Sequence, residues 1–101
     1  MTKVQVLLAC SPGWRIREQF LKRCEQDELV RERVEWTVLP PDVIHPDALA
    51  QAEVMVCGHF AQEWFVHCRR LRWIQFLGAG IEGSLSPELL TSDIILTNAS
   101  G

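Results

Sequence analysis

The stretch VQVLLAC at residues 4–10, closed by Ser11-Pro12-Gly13, decides the class of fold that this sequence can adopt. A short run of Val and Leu with a single polar interruption is typical of a strand whose two faces are both covered, as in a parallel sheet. The serine, proline and glycine that follow end the strand and can begin a helix. We therefore expect an α/β protein with this first strand inside a parallel sheet.

The rest of the chain alternates short apolar strands with helical segments. An apolar stripe predicts an amphipathic first helix, which we expect to fray within residues 26–33; its members are Ile16, Phe20, Leu21 and Cys24. Further strands are predicted at 34–39, 54–57, 73–77 and 94–97. Short helices are predicted at 46–51 and 87–90. Between strands three and four, a helical stripe with spacing i, i+3, i+4, i+7 and i+10 comprises Ala61, Trp64, Phe65, Cys68 and Leu71.

Five strands that alternate with helices favour a parallel sheet with helices on both faces, because right-handed crossovers leave few other arrangements. We expect a flavodoxin-like three-layer sandwich with strand order 2-1-3-4-5, formed by residues 1–101 as a single domain. Ligands of such sheets bind outside the carboxyl ends of the strands. The loops at that edge are predicted at 11–14, 40–42, 58–60, 78–83 and 98–101.

Composition excludes several classes of function. Ten Lys and Arg against thirteen Asp and Glu leave no positive surplus, so neither nucleic acid nor an anionic membrane surface is an expected partner. The apolar run at 4–10 is far shorter than the roughly 20 residues of a membrane span. Four cysteines without a CxxC pair, together with three histidines, give no zinc motif, so we expect no metal and a reducing cytoplasm.

The loop Gly78-Ala79-Gly80-Ile81-Glu82-Gly83 spells G-x-G-x-x-G, the pattern of a dinucleotide-binding turn. Its context differs from that turn, because it follows the fourth strand instead of the first and no acidic residue occupies the expected position about twenty residues later. A dinucleotide site here is therefore disfavoured. Two readings stay open: backbone amides that receive a carboxylate or phosphate, or a tight turn that only permits close packing.

One segment carries a resemblance to a known family. Residues 71–82 read LRWIQFLGAGIE, and residues 87–90 and 94–101 read PELL and IILTNASG. Together they resemble the substrate domain of the D-isomer-specific 2-hydroxyacid dehydrogenases, which has an LKWIQ..GAGVD strand and loop and an LTNA.G hinge. The similarity covers about the last thirty residues, and upstream only the order of elements agrees.

The resemblance implies a role for each matching position. The loop residues Gly78, Ala79 and Gly80 would present backbone amides to the substrate carboxylate. Asn98 would contact the substrate, and the loop with His59 and Phe60 would form a wall of the pocket. The family usually has Asp where this chain has Glu82, which weakens any argument from that side chain. No carboxylate is placed by sequence to orient His59, so a pocket-wall or surface position is favoured over acid/base catalysis.

The resemblance also implies a redox cofactor bound elsewhere. Family members bind NAD or NADP on a separate nucleotide-binding domain that follows the hinge and carries the catalytic Arg, Glu and His. We expect this chain to be the amino-terminal, substrate-binding portion of such an oxidoreductase, ending at the hinge near Gly101 and inactive alone. Its partner would be a small 2-oxo or 2-hydroxy acid. The complete enzyme is expected to be a homodimer, and the separated portion to self-associate through exposed apolar surface.

Two alternatives from another class stay open. The chain could be a flavodoxin-like, non-enzymatic binding or regulatory module, or a relative of the dehydrogenases that senses a metabolite. Phosphoreceiver function is disfavoured because Cys57, not an Asp, ends the third strand. A serine hydrolase is excluded because Ser11, Ser84 and Ser86 lack the G-x-S-x-G context of a nucleophile.

Overall fold

The structure is a computed structural model that describes residues 3–9, 15–77 and 82–98. Within these ranges the chain forms five strands: β1 (Val4–Ala9), β2 (Val34–Leu39), β3 (Val54–Cys57), β4 (Trp73–Phe76) and β5 (Ile95–Asn98). It also forms four α-helices: α1 (Arg15–Glu25), α2 (Glu28–Arg33), α3 (Pro46–Gln51) and α4 (Pro87–Leu90). Short 3₁₀ turns occur at Pro41–Val43, Gln62–His67 and Glu82–Ser84.

The strands form one parallel sheet in the order β2-β1-β3-β4-β5, which confirms the predicted α/β fold and topology. Their register brings all the carboxyl ends level. Ala9 lies opposite both Leu39 and Cys57. Cys57 lies opposite Phe76, which in turn lies opposite Asn98. The loops that leave the strands therefore start from one straight edge of the sheet.

Apolar side chains pack on both faces of the sheet, as the alternation of strand residues requires. The larger core combines Leu7, Met55, Ile74 and Phe76 of the strands with Leu49 of α3, Trp64 of the 62–67 turn and Leu89 of α4. On the other face, Val6, Leu8 and Val56 pack with partly buried Leu21 of α1 and with side chains of β2. Two helical layers with the sheet between them form the predicted three-layer sandwich.

The region after α1 differs from the prediction that residues 26–33 fray. Asp27 instead caps a second helix, since its Oδ1 accepts hydrogen bonds from the N–H groups of Leu29 (3.0 Å) and Val30 (3.2 Å). A side-chain oxygen at this position satisfies amides that have no partner inside the helix. The polar run is therefore ordered as α2, which ends directly at the start of β2.

The helix between β3 and β4 is also shorter and more tightly wound than the apolar spacing predicts. Only Gln62–His67 is helical, and it is a 3₁₀ turn in which the N–H of Cys68 donates to the Phe65 carbonyl at 3.1 Å. The spacing of three residues between Ala61 and Trp64 is common to both kinds of helix. Leu71 is buried without being part of a helix.

Strand bounds differ from prediction by single residues. The last three strands are predicted at 54–57, 73–77 and 94–97, and the first of these is confirmed. β4 ends at Phe76, and β5 is shifted by one residue to Ile95–Asn98. The predicted end of strand one at Cys10 and the loop at 11–14 lie outside the described residues.

Candidate functional site

The loops that follow β3 and β4 meet at the carboxyl edge of the sheet. His59 and Phe60 follow β3, and Ser84 belongs to the 3₁₀ turn that comes after β4. The hydroxyl oxygen of Ser84 accepts a hydrogen bond of 2.9 Å from the Phe60 N–H. The same oxygen lies 3.1 Å from Nδ1 of His59. We call His59, Phe60 and Ser84 the edge cluster.

The three members of the edge cluster differ sharply in exposure. Ser84 and Phe60 are each 1% exposed, whereas His59 is exposed. The Phe60 ring packs against Trp64 in an edge-to-face arrangement, with ring centroids 5.5 Å apart and planes at 90°. Phe60 therefore places its side chain in the larger core. His59 is the member that offers a functional group to a ligand.

Asn98 ends β5 and is exposed at the same edge. Paired residues on neighbouring strands share a face, so Asn98 lies on the face of Phe76, the side of the larger core. With strands about 4.8 Å apart, two strand spacings put Asn98 about 10 Å from Cys57, just before the loop of His59. The structure therefore places His59 and Asn98 at the same carboxyl edge of the sheet.

The glycine loop lies only partly inside the described residues. The predicted carboxylate-binding residues Gly78, Ala79 and Gly80 fall outside them. The flanking segments are defined. Before the loop, the Leu77 N–H donates to the Cys57 carbonyl at 2.9 Å and extends the pairing of β3 with β4. After it, the turn Glu82–Ser84 leads back to His59.

The surroundings of the glycine loop do not fit a dinucleotide. In a dinucleotide-binding fold the glycines lead straight into a long helix, whose amino terminus binds the pyrophosphate. Here a 3₁₀ turn follows, and α4 comprises only the four residues Pro87–Leu90. The α4 amino terminus is occupied by Ser86, whose Oγ accepts the Leu89 N–H at 3.2 Å.

Two of the three arginines between the 62–67 turn and β4 bind to Glu53, at the opposite edge of the sheet. Arg70 forms a 3.1 Å ion pair with Glu53, which precedes β3. The N–H of Arg72 donates to the Glu53 carbonyl at 2.8 Å, just before β4. Both arginines therefore lie at the amino edge of the sheet. They do not contribute positive charge to the edge cluster.

The thiols of the described cysteines are poor candidates for chemistry. Cys57 is completely buried in the larger core. Burial raises the pKa of Cys68 to about 11, and its Sγ–H donates to the Trp64 carbonyl at 3.2 Å. Burial, together with the nearby Asp27 carboxylate, also raises the pKa of Cys24. Because the nucleophile is the thiolate, the raised pKa values lower the reactivity of Cys24 and Cys68 at neutral pH.

Within residues 3–9, 15–77 and 82–98, no three His, Cys, Asp or Glu side chains are grouped so that they could hold a metal ion. In the same ranges no helix has the length and apolar character needed to cross a bilayer.

Ser84 is the site residue that sequence reasoning missed. Ser84 is predicted from the sequence only as a rejected nucleophile, because its partners are 24 and 25 residues away in the chain. One signal was available. His59 follows β3 and Ser84 follows β4, and these strands are neighbours in the sheet, so the two loops start from adjacent positions on one edge. The pairing itself depends on how the two loops fold against each other.

No protein-family model matches this chain, and comparison with curated proteins and with solved structures returns no significant match.

Proposed function

We propose that this chain is the substrate-binding portion of an NAD(P)-dependent oxidoreductase that interconverts 2-oxo acids and D-2-hydroxy acids. The observation that carries the proposal is the convergence of His59 and Asn98 on the edge where the chain leaves β4 toward the glycine loop. The sequence likeness of residues 71–101 to D-isomer-specific 2-hydroxyacid dehydrogenases supports it. So does the sheet order 2-1-3-4-5, since ligands of such sheets bind at this edge.

In this proposal each group binds one part of the acid. The amides of Ala79 and Gly80 receive the carboxylate. The Asn98 side chain can donate from its amide nitrogen and accept at its oxygen, so it suits both a 2-oxo and a 2-hydroxy group. Exposed His59 donates a further hydrogen bond to an anionic oxygen. Buried Phe60 keeps the loop in place through its ring.

The cofactor belongs to another part of the enzyme in this proposal. NAD(P) would supply the hydride, and the surroundings of the glycine loop do not fit it. The role of residues 1–101 is to bind and orient the acid. The proposed complete enzyme is a cytoplasmic homodimer.

A titration of the ¹⁵N-labelled chain with pyruvate tests the proposal. Pyruvate should shift the amide signals of residues 59, 78–80 and 98, and pyruvamide, which lacks the carboxylate, should not. Replacing Asn98→Ala should weaken pyruvate binding about tenfold, since a hydrogen bond to a charged ligand is lost. The matched control Gln51→Ala alters an exposed amide at the end of α3 and should leave affinity unchanged.

Turnover assays give the complementary result. The chain incubated with NADH or NADPH and a panel of 2-oxo acids should oxidise no cofactor, because no dinucleotide site is assigned to it. Clear turnover would contradict the proposal that this chain binds the acid while another part of the enzyme binds the cofactor. The substrate assignment would be overturned if pyruvate shifted no amide signals, or only signals of residues away from the carboxyl edge. Either result would favour a non-enzymatic binding module.

A further inference from the structure

The buried hydroxyl of Ser84 joins two residues of the edge cluster. Its oxygen accepts the Phe60 N–H at 2.9 Å and lies 3.1 Å from His59 Nδ1. Ser84 itself is 1% exposed, while the imidazole that it contacts is exposed. A hydroxyl in this position can determine how the imidazole is oriented and which of its nitrogens carries the proton.

The count of donors and acceptors decides the direction of this hydrogen bond. A serine hydroxyl has one proton to donate and two lone pairs that accept. The Phe60 N–H takes one lone pair. Among the described residues, Nδ1 of His59 is the acceptor within reach of the hydroxyl proton. If Nδ1 carried a proton instead, the buried hydroxyl would be left without an acceptor there, which is costly.

We infer that Ser84 is a positioning residue that donates to His59 Nδ1 and so holds the neutral imidazole with its proton on Nε2. The Nε2–H then acts as a fixed donor for an oxygen that accepts hydrogen bonds. This inference rests on the proposed function, because it assigns the substrate carboxylate or 2-oxo oxygen as the acceptor. Both oxygens accept hydrogen bonds and donate none, so they match a nitrogen that can only donate.

The backbone of the 82–84 turn lies close to the His59 ring. A Cβ atom built on Gly83 would lie 3.9 Å from His59 Cε1, an ordinary contact distance. The turn therefore flanks the imidazole next to Nδ1. Ser84 sets the direction of the hydrogen bond, and an alanine at position 83 would fit beside the ring without displacing it.

Nitrogen chemical shifts of the His59 side chain test the inference without any ligand. In the unmodified chain, at a pH where the imidazole is neutral, Nε2 should show the shift of a protonated nitrogen and Nδ1 that of an unprotonated one. Ser84→Ala should convert this to a mixture of the two tautomers. Ser84→Cys, which keeps a weak S–H donor, should give an intermediate result. Ser86→Ala is the matched control, since it removes another buried serine that caps α4.

Pyruvate affinity measured on the same variants separates this inference from the proposed function. Ser84→Ala should weaken binding about three- to tenfold, as expected for one misdirected hydrogen bond, and Ser86→Ala should not. A protonated Nδ1 in the unmodified chain overturns the inference whether or not any variant folds. Unchanged His59 shifts in Ser84→Ala, or the same change in Ser86→Ala, also overturn it. If the tautomer result holds but pyruvate does not bind, the positioning role stands and the proposed substrate fails.

Discussion

The indole Nε1 of Trp73 donates a 2.7 Å hydrogen bond to Oγ1 of Thr97, joining β4 to β5 on the face of the sheet opposite the larger core. The Thr97 hydroxyl in turn donates a hydrogen bond to Gln75 Oε1 at 2.6 Å. The Gln75 amide nitrogen then donates to the Phe76 carbonyl at 3.1 Å. These linked side chains fix β5 to its neighbour beyond the backbone ladder.

Replacing Thr97→Val should therefore destabilise the protein by about 0.5–1.5 kcal/mol, the usual net value of an intramolecular hydrogen bond. Valine keeps the shape but removes the acceptor for the indole and the donor to Gln75. Trp73 is 41% exposed, so water can replace part of what is lost. Urea midpoints measure the effect. Thr37→Val, at an exposed position on β2, should shift the midpoint much less, and equal shifts would contradict the role of the side-chain network.

The cap of α2 gives a second prediction. Asp27→Ala should cost about 0.5–2 kcal/mol, because the N–H groups of Leu29 and Val30 lose their acceptor. Asp27→Asn should retain most of the stability, since asparagine caps helices about as well. Urea denaturation and amide hydrogen exchange in α2 report both changes. Faster exchange confined to α1 would show that the cap has been assigned to the wrong helix.

The sequence predicts those parts of the fold that are determined by neighbouring residues in the chain. Apolar runs ended by proline or glycine predict β2 and β3, and proline at the first helical position predicts α3 and α4 with their observed bounds. The strand order follows from connectivity and handedness. These features need no knowledge of distant contacts, and they are confirmed.

The errors occur where apolar spacing does not determine the backbone. The stripe from Ala61 to Leu71 fits an α-helix, yet the described backbone turns as a 3₁₀ helix only as far as His67. Leu71 is nevertheless buried, and Arg72 binds through its backbone to Glu53 beside the sheet. Burial of the apolar residues is thus correctly predicted, and the backbone path between them is not.

The candidate site, like the fold, is predicted only in part by the sequence. Topology predicts that the loop of His59 and the end of β5 share an edge, and they do. Topology does not predict that Phe60 turns its ring into the core or that Ser84 bonds to the Phe60 backbone. Those details arise from side-chain packing between loops that are far apart in the chain.

The raised pKa of Cys68 gives a prediction about alkaline stability. In the unfolded chain this thiol ionises near its ordinary value of 9.0, whereas burial raises the folded-state pKa to about 11. The unfolded state therefore loses its proton first. The contribution of Cys68 to stability is complete below pH 9.0 and is lost as the pH rises through about 11.

Cys68→Ala should accordingly show a shallower fall in the free energy of unfolding across this alkaline window than the unmodified chain. Cys24→Ala is the informative comparison. The pKa of the Cys24 thiol is also raised, and this thiol is still present in the Cys68→Ala variant. Urea denaturation at a series of pH values supplies the slopes. Identical slopes for Cys68→Ala and the unmodified chain would show that the buried thiol is not linked to unfolding.

The last prediction concerns the part of the sheet face that bears the Trp73 network. Val4, Trp73 and Ile95 are 38%, 41% and 61% exposed there, and Trp73 lies directly opposite Ile95. They line a depression of about 190 Å³ together with Val54 and the charged residues Glu53 and Arg72. Contiguous apolar side chains on neighbouring strands favour association, unlike single exposed ones.

We expect two copies of the chain to associate through this face, so Ile95→Lys should shift the protein toward monomer in sedimentation velocity. A lysine at the centre of the contact would have to lose its hydration when the copies meet. Val66→Lys is the matched control, because Val66 is 75% exposed but lies outside the Val4, Trp73 and Ile95 group. A compact monomer of the unmodified chain at high concentration, or equal shifts for the two variants, would rule out this face as the contact.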